Sequence, residues 1–272
     1  MFISVVVKHS SKTFHMNKYN TQSEPVESVN TPQALLECRK LNAWYGAAQI
    51  LFDVSLSVCP GEVVALMGRN GAGKSTTLRA LMGLMSKRSG EISFLGDEIG
   101  KLEPFQISQK GLGFVPEDRR IFSDLSVLEN LSVGRQVARF FPNGDPVPYW
   151  TVDAIFSLFP NLGNMPKRLG SQMSGGEQQM LSVARTLMGN PIVLLLDEPS
   201  EGIAPIIVEQ MGETILKLKA QGVSILLSEQ NLHFAGWVCD RAYILEKGQI
   251  KHASSMKELN DNQQILKEYL SV

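Results

Sequence analysis

The stretch that decides the fold is VVALMGRNGAGKSTTLRALM, residues 63–82. Val63 to Met67 is an unbroken apolar run, the kind of strand that is covered on both faces in a parallel sheet. The loop after it, Gly68-Arg69-Asn70-Gly71-Ala72-Gly73-Lys74-Ser75-Thr76, fulfils the pattern G-x-x-x-x-G-K-[ST] in full. Beyond the loop, Leu78, Leu81, Met82 and Met85 fall on one face of a predicted helix. Strand, loop and helix open an α/β unit. A glycine-rich turn without chemistry would also join a strand to a helix. The buried strand before the loop and the amphipathic helix after it are, however, the setting that a phosphate-binding loop requires. There the backbone N–H groups of Gly68 to Thr76 point at phosphate oxygens, aided by the positive end of the helix. Lys74 is expected to reach the β- and γ-phosphates of a bound nucleotide, and the Ser75 hydroxyl to hold Mg²⁺.

A second apolar strand, Ile192 to Leu196, ends in Asp197-Glu198. Ligands bind at the carboxyl ends of strands in an open α/β sheet. Asp197 is expected to hold Mg²⁺, directly or through water. Glu198 is expected to lie beside the γ-phosphate, where it accepts a proton from the attacking water or orients it. A solvated strand end explains two carboxylates equally well when they stand alone; beside a phosphate loop, the catalytic reading wins. Ser174-Gly175-Gly176-Glu177 opens a further predicted helix from about Gln178 to Met188. The serine caps it, and two glycines leave bare N–H groups at its positive end, a second anion site or a plain cap.

The remaining texture fills in a frame around these motifs. Residues 1–34 are polar and aperiodic, and are expected to form a disordered tail, with Met16 an alternative start. The ordered domain is expected over 35–272. Asp53 to Val58 alternates as a half-buried strand, and Pro60-Gly61-Glu62 turns the chain into the phosphate-loop strand. The middle, roughly residues 117–188, is expected to be mostly helical, with a capping box at Ser126–Glu129 and a loop over Pro142 to Pro148. Then come a helix over Ile206 to Lys219, a strand over Val223 to Leu227, a hairpin turning at Lys247-Gly248, and a C-terminal helix carrying Met256, Leu259, Leu266 and Tyr269.

The 272 residues are 43% hydrophobic and 19% charged, with a net charge of -1, an ordinary globular balance. Nothing in it argues for nucleic acid as a partner, and Arg119-Arg120, with no aromatic interleaving, reads as a solvated face. Three scattered cysteines, Cys38, Cys59 and Cys239, share no metal-ligand spacing and suit a reducing compartment. No apolar run approaches the ~20 residues of a membrane helix, so the expected location is cytoplasmic, with other chains supplying any membrane part.

Phosphate loop, Met173-Ser174-Gly175-Gly176-Glu177 and Leu196-Asp197-Glu198-Pro199, in this order, resemble the ATPase cassette of an ABC transporter from about Leu35 onward. The resemblance implies an α/β fold: a P-loop NTPase core of ABC ATPase type, with an antiparallel β portion and an inserted helical subdomain that binds the permease. It also implies that Ser174 to Glu177 reach across to ATP held by a second cassette, and that Tyr45, in Trp44-Tyr45-Gly46, stacks on adenine, although a core aromatic is the alternative there. Three positions depart from the broad family pattern. Glu117 stands where a Mg²⁺-contacting Gln is usual, Gln230 where a switch His is usual, and Ser200-Glu201-Gly202-Ile203-Ala204-Pro205 replaces the usual Ser-Ala-Leu-Asp. Gln230 carries no proton near neutral pH, so the burden of general base falls on Glu198, while Glu117 remains an oxygen ligand for the metal.

These departures are similar to one subgroup, the shorter ATPases of bacterial importers for branched-chain amino acids and of the related importers for urea and short amides. That implies two transmembrane permease subunits, a second and non-identical ABC ATPase, and a periplasmic binding protein acting indirectly, at the cytoplasmic face of the inner membrane. Export of a lipid or polysaccharide is the rival within the family. A soluble ATP-driven switch is the rival outside it, and such switches carry two cassettes or a long coiled-coil insertion, which this chain lacks. An ATP-binding module without turnover is a third, against which Glu198 argues.

Overall fold

Strands that are apolar at nearly every position need cover on both faces, and three such strands organise this chain. The computed structural model describes residues 33–141 and 143–270. In it, β3 (Val63–Met67), β7 (Val193–Asp197) and β8 (Ser224–Glu229) are buried along their whole length. They lie in a six-stranded sheet of order β10-β9-β3-β8-β7-β6, completed by β6 (Leu112–Val115), β9 (Arg241–Glu246) and β10 (Gln249–Ser255). Every pairing in it is parallel except the β9–β10 hairpin.

Successive side chains of a strand point to opposite faces, and the two faces of this sheet build two cores. Val63, Ala65, Met67, Leu194, Leu196, Ile225 and Leu227 face a helical layer. That layer comprises α3 (Val127–Gly134), α4 (Val152–Leu158), α5 (Pro160–Gly163), α6 (Gly175–Leu187), α7 (Pro205–Ala220) and α8 (Leu232–Val238). Val64, Leu66, Val193, Leu195 and Leu226 face the other way, toward α1 (Lys74–Leu81), α2 (Pro104–Lys110) and a second sheet. That sheet is antiparallel, of order β2-β1-β4-β5, built from β1 (Leu36–Tyr45), β2 (Ala48–Val58), β4 (Lys87–Phe94) and β5 (Asp97–Glu98). Burying each such Leu or Val side chain contributes roughly 1.5–3 kcal/mol, so the central strands are the firmest part of the frame.

The expected P-loop core and antiparallel portion are therefore present. Between residues 117 and 188, helices alternate with loops, among them the stretches 135–141 and 143–151, rather than forming a mostly helical block. Nor do these helices have a core of their own, because Leu131, Ile155 and Leu181 join one apolar cluster with the sheet. The capping box at Ser126 and Glu129 forms as expected. Two predicted helices are interrupted or cut short, although the chain is helical again from Gln263 to Leu270. Helix α1 stops at Leu81, leaving Met85 buried beyond it. The C-terminal helix breaks at Asn262 into α9 (Met256–Asp261) and α10 (Gln263–Ile265), because the Asn262 side chain accepts from Ile265 N and caps a new turn.

The tail expected over 1–34 lies outside the described residues except for Gln33 and Ala34. Cys38 and Cys239 are buried, whereas Cys59 is only half-buried. Among the described residues, no helix is long and apolar enough to cross a membrane.

Candidate active site

Four loops meet at the carboxyl edge of the parallel sheet, as strand direction requires. They follow β3, β6, β7 and β8, and the register pairs Met67 with Glu229 and Asp197 with Ser228. The loop after β3 wraps tightly. Gly68 lies so close to β9 that a Cβ there would stand 2.3 Å from the Leu245 carbonyl oxygen. Gly73 holds φ 111°, open to glycine and costly for other residues, and it begins α1 with no side-chain cap. The first N–H groups of α1 are thus left for a ligand. From outside, the Lys247-Gly248 turn braces the loop: Gly248 N donates to the Ala72 carbonyl at 2.8 Å.

Lys74 is 3% exposed and its Nζ is folded back on the loop. It donates to the Gly68 carbonyl at 2.8 Å and the Arg69 carbonyl at 3.3 Å, and pairs with Glu198 Oε1 at 3.0 Å. The Ser75 hydroxyl donates to Asp197 Oδ1 at 2.9 Å, and Ser228 Oγ donates to the same oxygen at 2.7 Å. Burial pushes the Asp197 carboxyl up, and these two hydroxyls oppose the shift. Among the described residues, its other oxygen, Oδ2, is buried without a hydrogen-bond partner. A buried orphan carboxylate oxygen next to a serine hydroxyl is a donor set that suits a hard divalent cation.

Glu198 sits at φ 47°, a left-handed conformation that costs a non-glycine residue on the order of 1–3 kcal/mol. Its backbone is held there by Ser228, whose Oγ accepts from Glu198 N at 3.0 Å. Gln230 Nε2 donates to Glu198 Oε2 at 2.9 Å, so Gln230 aims the carboxylate while Lys74 holds the other oxygen. Burial raises the Glu198 pKa, but hydrogen bonds from Glu201, Gln230 and Lys74 outweigh it and hold the group below the usual range. A pocket of about 480 Å³ opens over this constellation, and Tyr45, Asn70, Gly71, Thr76, Glu117 and Glu198 are among its walls. Tyr45, 48% exposed at the end of β1, lies at its rim, with its hydroxyl accepting from Arg79 at 3.4 Å.

Ser174, Gly175, Gly176 and Glu177 are not among the residues that line this pocket. They form the start of α6, which begins at Gly175 rather than near Gln178, with a complete capping box between Ser174 and Glu177. Arg69 also turns away, its guanidinium donating to the Glu268 carbonyl at 3.5 Å. The expected solvated pair Arg119-Arg120 divides. Arg120 is exposed and paired with Asp118 at 2.9 Å, whereas Arg119 is half-buried against Gly175, and its carbonyl accepts from Ser182 Oγ at 2.6 Å. Packing of the loop against α6 draws it in.

Sequence reasoning missed Ser228, Glu229 and Glu201 as parts of the site. Ser228 and Glu229 are polar residues that follow the apolar run Ile225 to Leu227 at the end of the strand, which is the signal that was available. Glu201 lines the pocket, and its pKa is pushed up to about 7 by a hydrogen bond to Glu198, with partial burial and repulsion from Glu198 and Glu117 adding to it.

The sequence matches the family described as ABC transporter over residues 51–201, more than half of the chain. The high-affinity branched-chain amino acid transport ATP-binding protein BraG of Pseudomonas aeruginosa is 43% identical over 236 residues, covering 87% of this chain and 99% of that protein. The lipopolysaccharide export system ATP-binding protein LptB of Haemophilus influenzae is 32% identical over 240 residues, 87% of this chain and 97% of that protein. A solved ATP-binding subunit of an ABC transporter superposes with a TM-score of 0.69 at 29% identity, over 84% of this chain and 92% of that one. The likeness runs over nearly the whole length of these relatives, and the family match spans more than half of the chain: the chain belongs to the ABC transporter family, as an ATP-hydrolysing subunit.

Proposed function

We propose that this chain energises a bacterial importer for branched-chain amino acids. The observation that carries the cargo is the 43% identity to BraG along almost all of that protein, well above the 32% to LptB. The segments Val115 to Phe122, Pro199 to Pro205 and Glu229 to Asn231, which resemble the shorter ATPases of such importers, point the same way.

In this reading the triphosphate lies on Gly68 to Thr76 with its β- and γ-phosphates against Lys74, and the adenine stacks on Tyr45. Ser75, Asp197 and Glu117 would hold Mg²⁺, which supplies charge neutralisation on the phosphates. Glu198 orients a water toward the γ-phosphate and takes its proton, and Gln230 keeps Glu198 in line. Because Ser174 to Glu177 lie outside the chain's own pocket, they are available to the nucleotide of a second ATPase subunit in a head-to-tail pair. One of two permease subunits would dock on the groove of about 430 Å³ beside α3 and α6, where Phe122 and Val133 are 47% and 54% exposed, and the other on the second ATPase subunit. The complex would work at the cytoplasmic face of the plasma membrane, with a periplasmic binding protein acting through the permeases. Urea or short amides are the alternative cargo, and export of lipopolysaccharide is the reading favoured by the LptB likeness.

The test is a mild-detergent pull-down of the tagged chain from native membranes, with co-purifying proteins identified by mass spectrometry. Two polytopic proteins and a second, different ATPase are expected, and a matching binding protein whose ligand is a branched-chain amino acid. A homodimer with export components, or a set of soluble partners only, would overturn the proposal.

A further inference from the structure

Glu229 is buried to 2% exposure at the last position of β8, and no cation pairs with it among the described residues. A carboxylate in that position is costly unless donors surround it. Its donors come from two separate loops. One oxygen, Oε1, accepts from the Ser200 N–H at 3.3 Å and from the Ser200 hydroxyl. The other, Oε2, accepts from the N–H groups of Gln230 and Asn231, both at 2.9 Å. Ser200 lies two residues past Glu198, and the Gln230 side chain donates to Glu198 Oε2. The chain therefore closes a ring that runs from Glu198 through Ser200 to Glu229, on to Gln230, and back to Glu198.

We infer that Glu229 is a positioning residue for ATP hydrolysis, fixing the loop of Gln230 and the loop after Glu198 at one separation. An apolar residue would suit the core better at this depth, and among the described residues the donors to this carboxylate all come from Ser200, Gln230 and Asn231. Its hydrogen bonds serve only the two loops that flank the reacting groups. The inference rests on Glu198 and Gln230 acting together in hydrolysis, and adds the group that sets their spacing.

Glu229→Gln keeps the shape but presents one acceptor oxygen in place of two, so one loop loses its anchor. Misplacing a reacting group by an ångström costs about 10²-fold in rate. In the assembled complex with Mg-ATP, kcat is expected to fall roughly 10- to 100-fold while the ATP dissociation constant stays within about twofold. Ser200→Ala removes a single donor and is expected to lower kcat by roughly 3- to 10-fold, a measurement that stands even if Glu229→Gln fails to fold. The losses of Glu229→Gln and Gln230→Ala should be less than multiplicative in the double variant, since part of the effect of Glu229 reaches Glu198 through Gln230. Multiplicative losses in the double variant, ATP affinity falling in step with kcat, or wild-type kcat in Ser200→Ala would overturn the inference. Glu198→Gln, assayed alongside, separates the levels. Lost turnover there with wild-type rates in the Glu229 and Ser200 variants sinks the positioning role alone, whereas undiminished turnover in Glu198→Gln sinks the pair on which it rests.

Discussion

Replacing Glu198 with Gln exchanges one carboxylate oxygen for an amide and leaves nearly every contact in place. The amide oxygen accepts from Lys74 Nζ as Oε1 does at 3.0 Å, and Lys74 keeps its bonds to the Gly68 and Arg69 carbonyls. The amide nitrogen takes the place of Oε2, and the Gln230 amide turns over to accept from it. What disappears is the capacity to take a proton. General-base catalysis is worth about 10²–10⁴ in rate, or about 3–5 kcal/mol of barrier. Nucleotide binding should hold or tighten, because one negative charge leaves the neighbourhood of the triphosphate. Single-turnover hydrolysis in the assembled complex and equilibrium binding of a fluorescent ATP analogue measure the two quantities separately. Turnover within about threefold of wild type would refute the role of Glu198, and loss of binding in parallel with turnover would show that it supports the pocket rather than the reaction.

Two further outcomes follow from the same geometry. Gly68→Ala sets a Cβ 2.3 Å from the Leu245 backbone oxygen, which has no free rotor to move aside. The strain should cost about 1–3 kcal/mol and lower the melting temperature by roughly 2–12 °C, and an unchanged melt refutes the close approach. Glu201, raised from an ordinary 4.5 to about 7 in the folded chain, binds its proton more tightly when folded than when unfolded. Its contribution to stability is therefore complete below about pH 4.5 and is lost as pH rises through about 7. Without nucleotide or Mg²⁺, wild-type thermal stability should decline across that window relative to Glu201→Gln, and parallel profiles would contradict the shared proton.

Local patterns were legible wherever the chemistry is local. Gly68 to Thr76 needed only its own glycines, lysine and serine, and Ser126–Glu129 only a cap and its reciprocal acid. Strand β1 was not legible, since irregular register at Cys38, Leu41 and Ala43 breaks its alternation. The break in the C-terminal helix was hidden too, because one asparagine side chain bonding its own backbone outweighs the apolar spacing.

The sequence by itself determined that a phosphate-loop pattern follows β3 and that Asp197 and Glu198 end a buried strand. Tertiary structure alone decided which residues surround them. Strands β3, β8 and β7 are neighbours although far apart in sequence. That order brings Ser228 onto Asp197, Gln230 onto Glu198 and Glu229 onto Ser200. It equally leaves Ser174 to Glu177 outside the pocket that their chain builds. Strand order is set by how two faces of apolar side chains share their cores, a sum over the whole domain that no local spacing expresses.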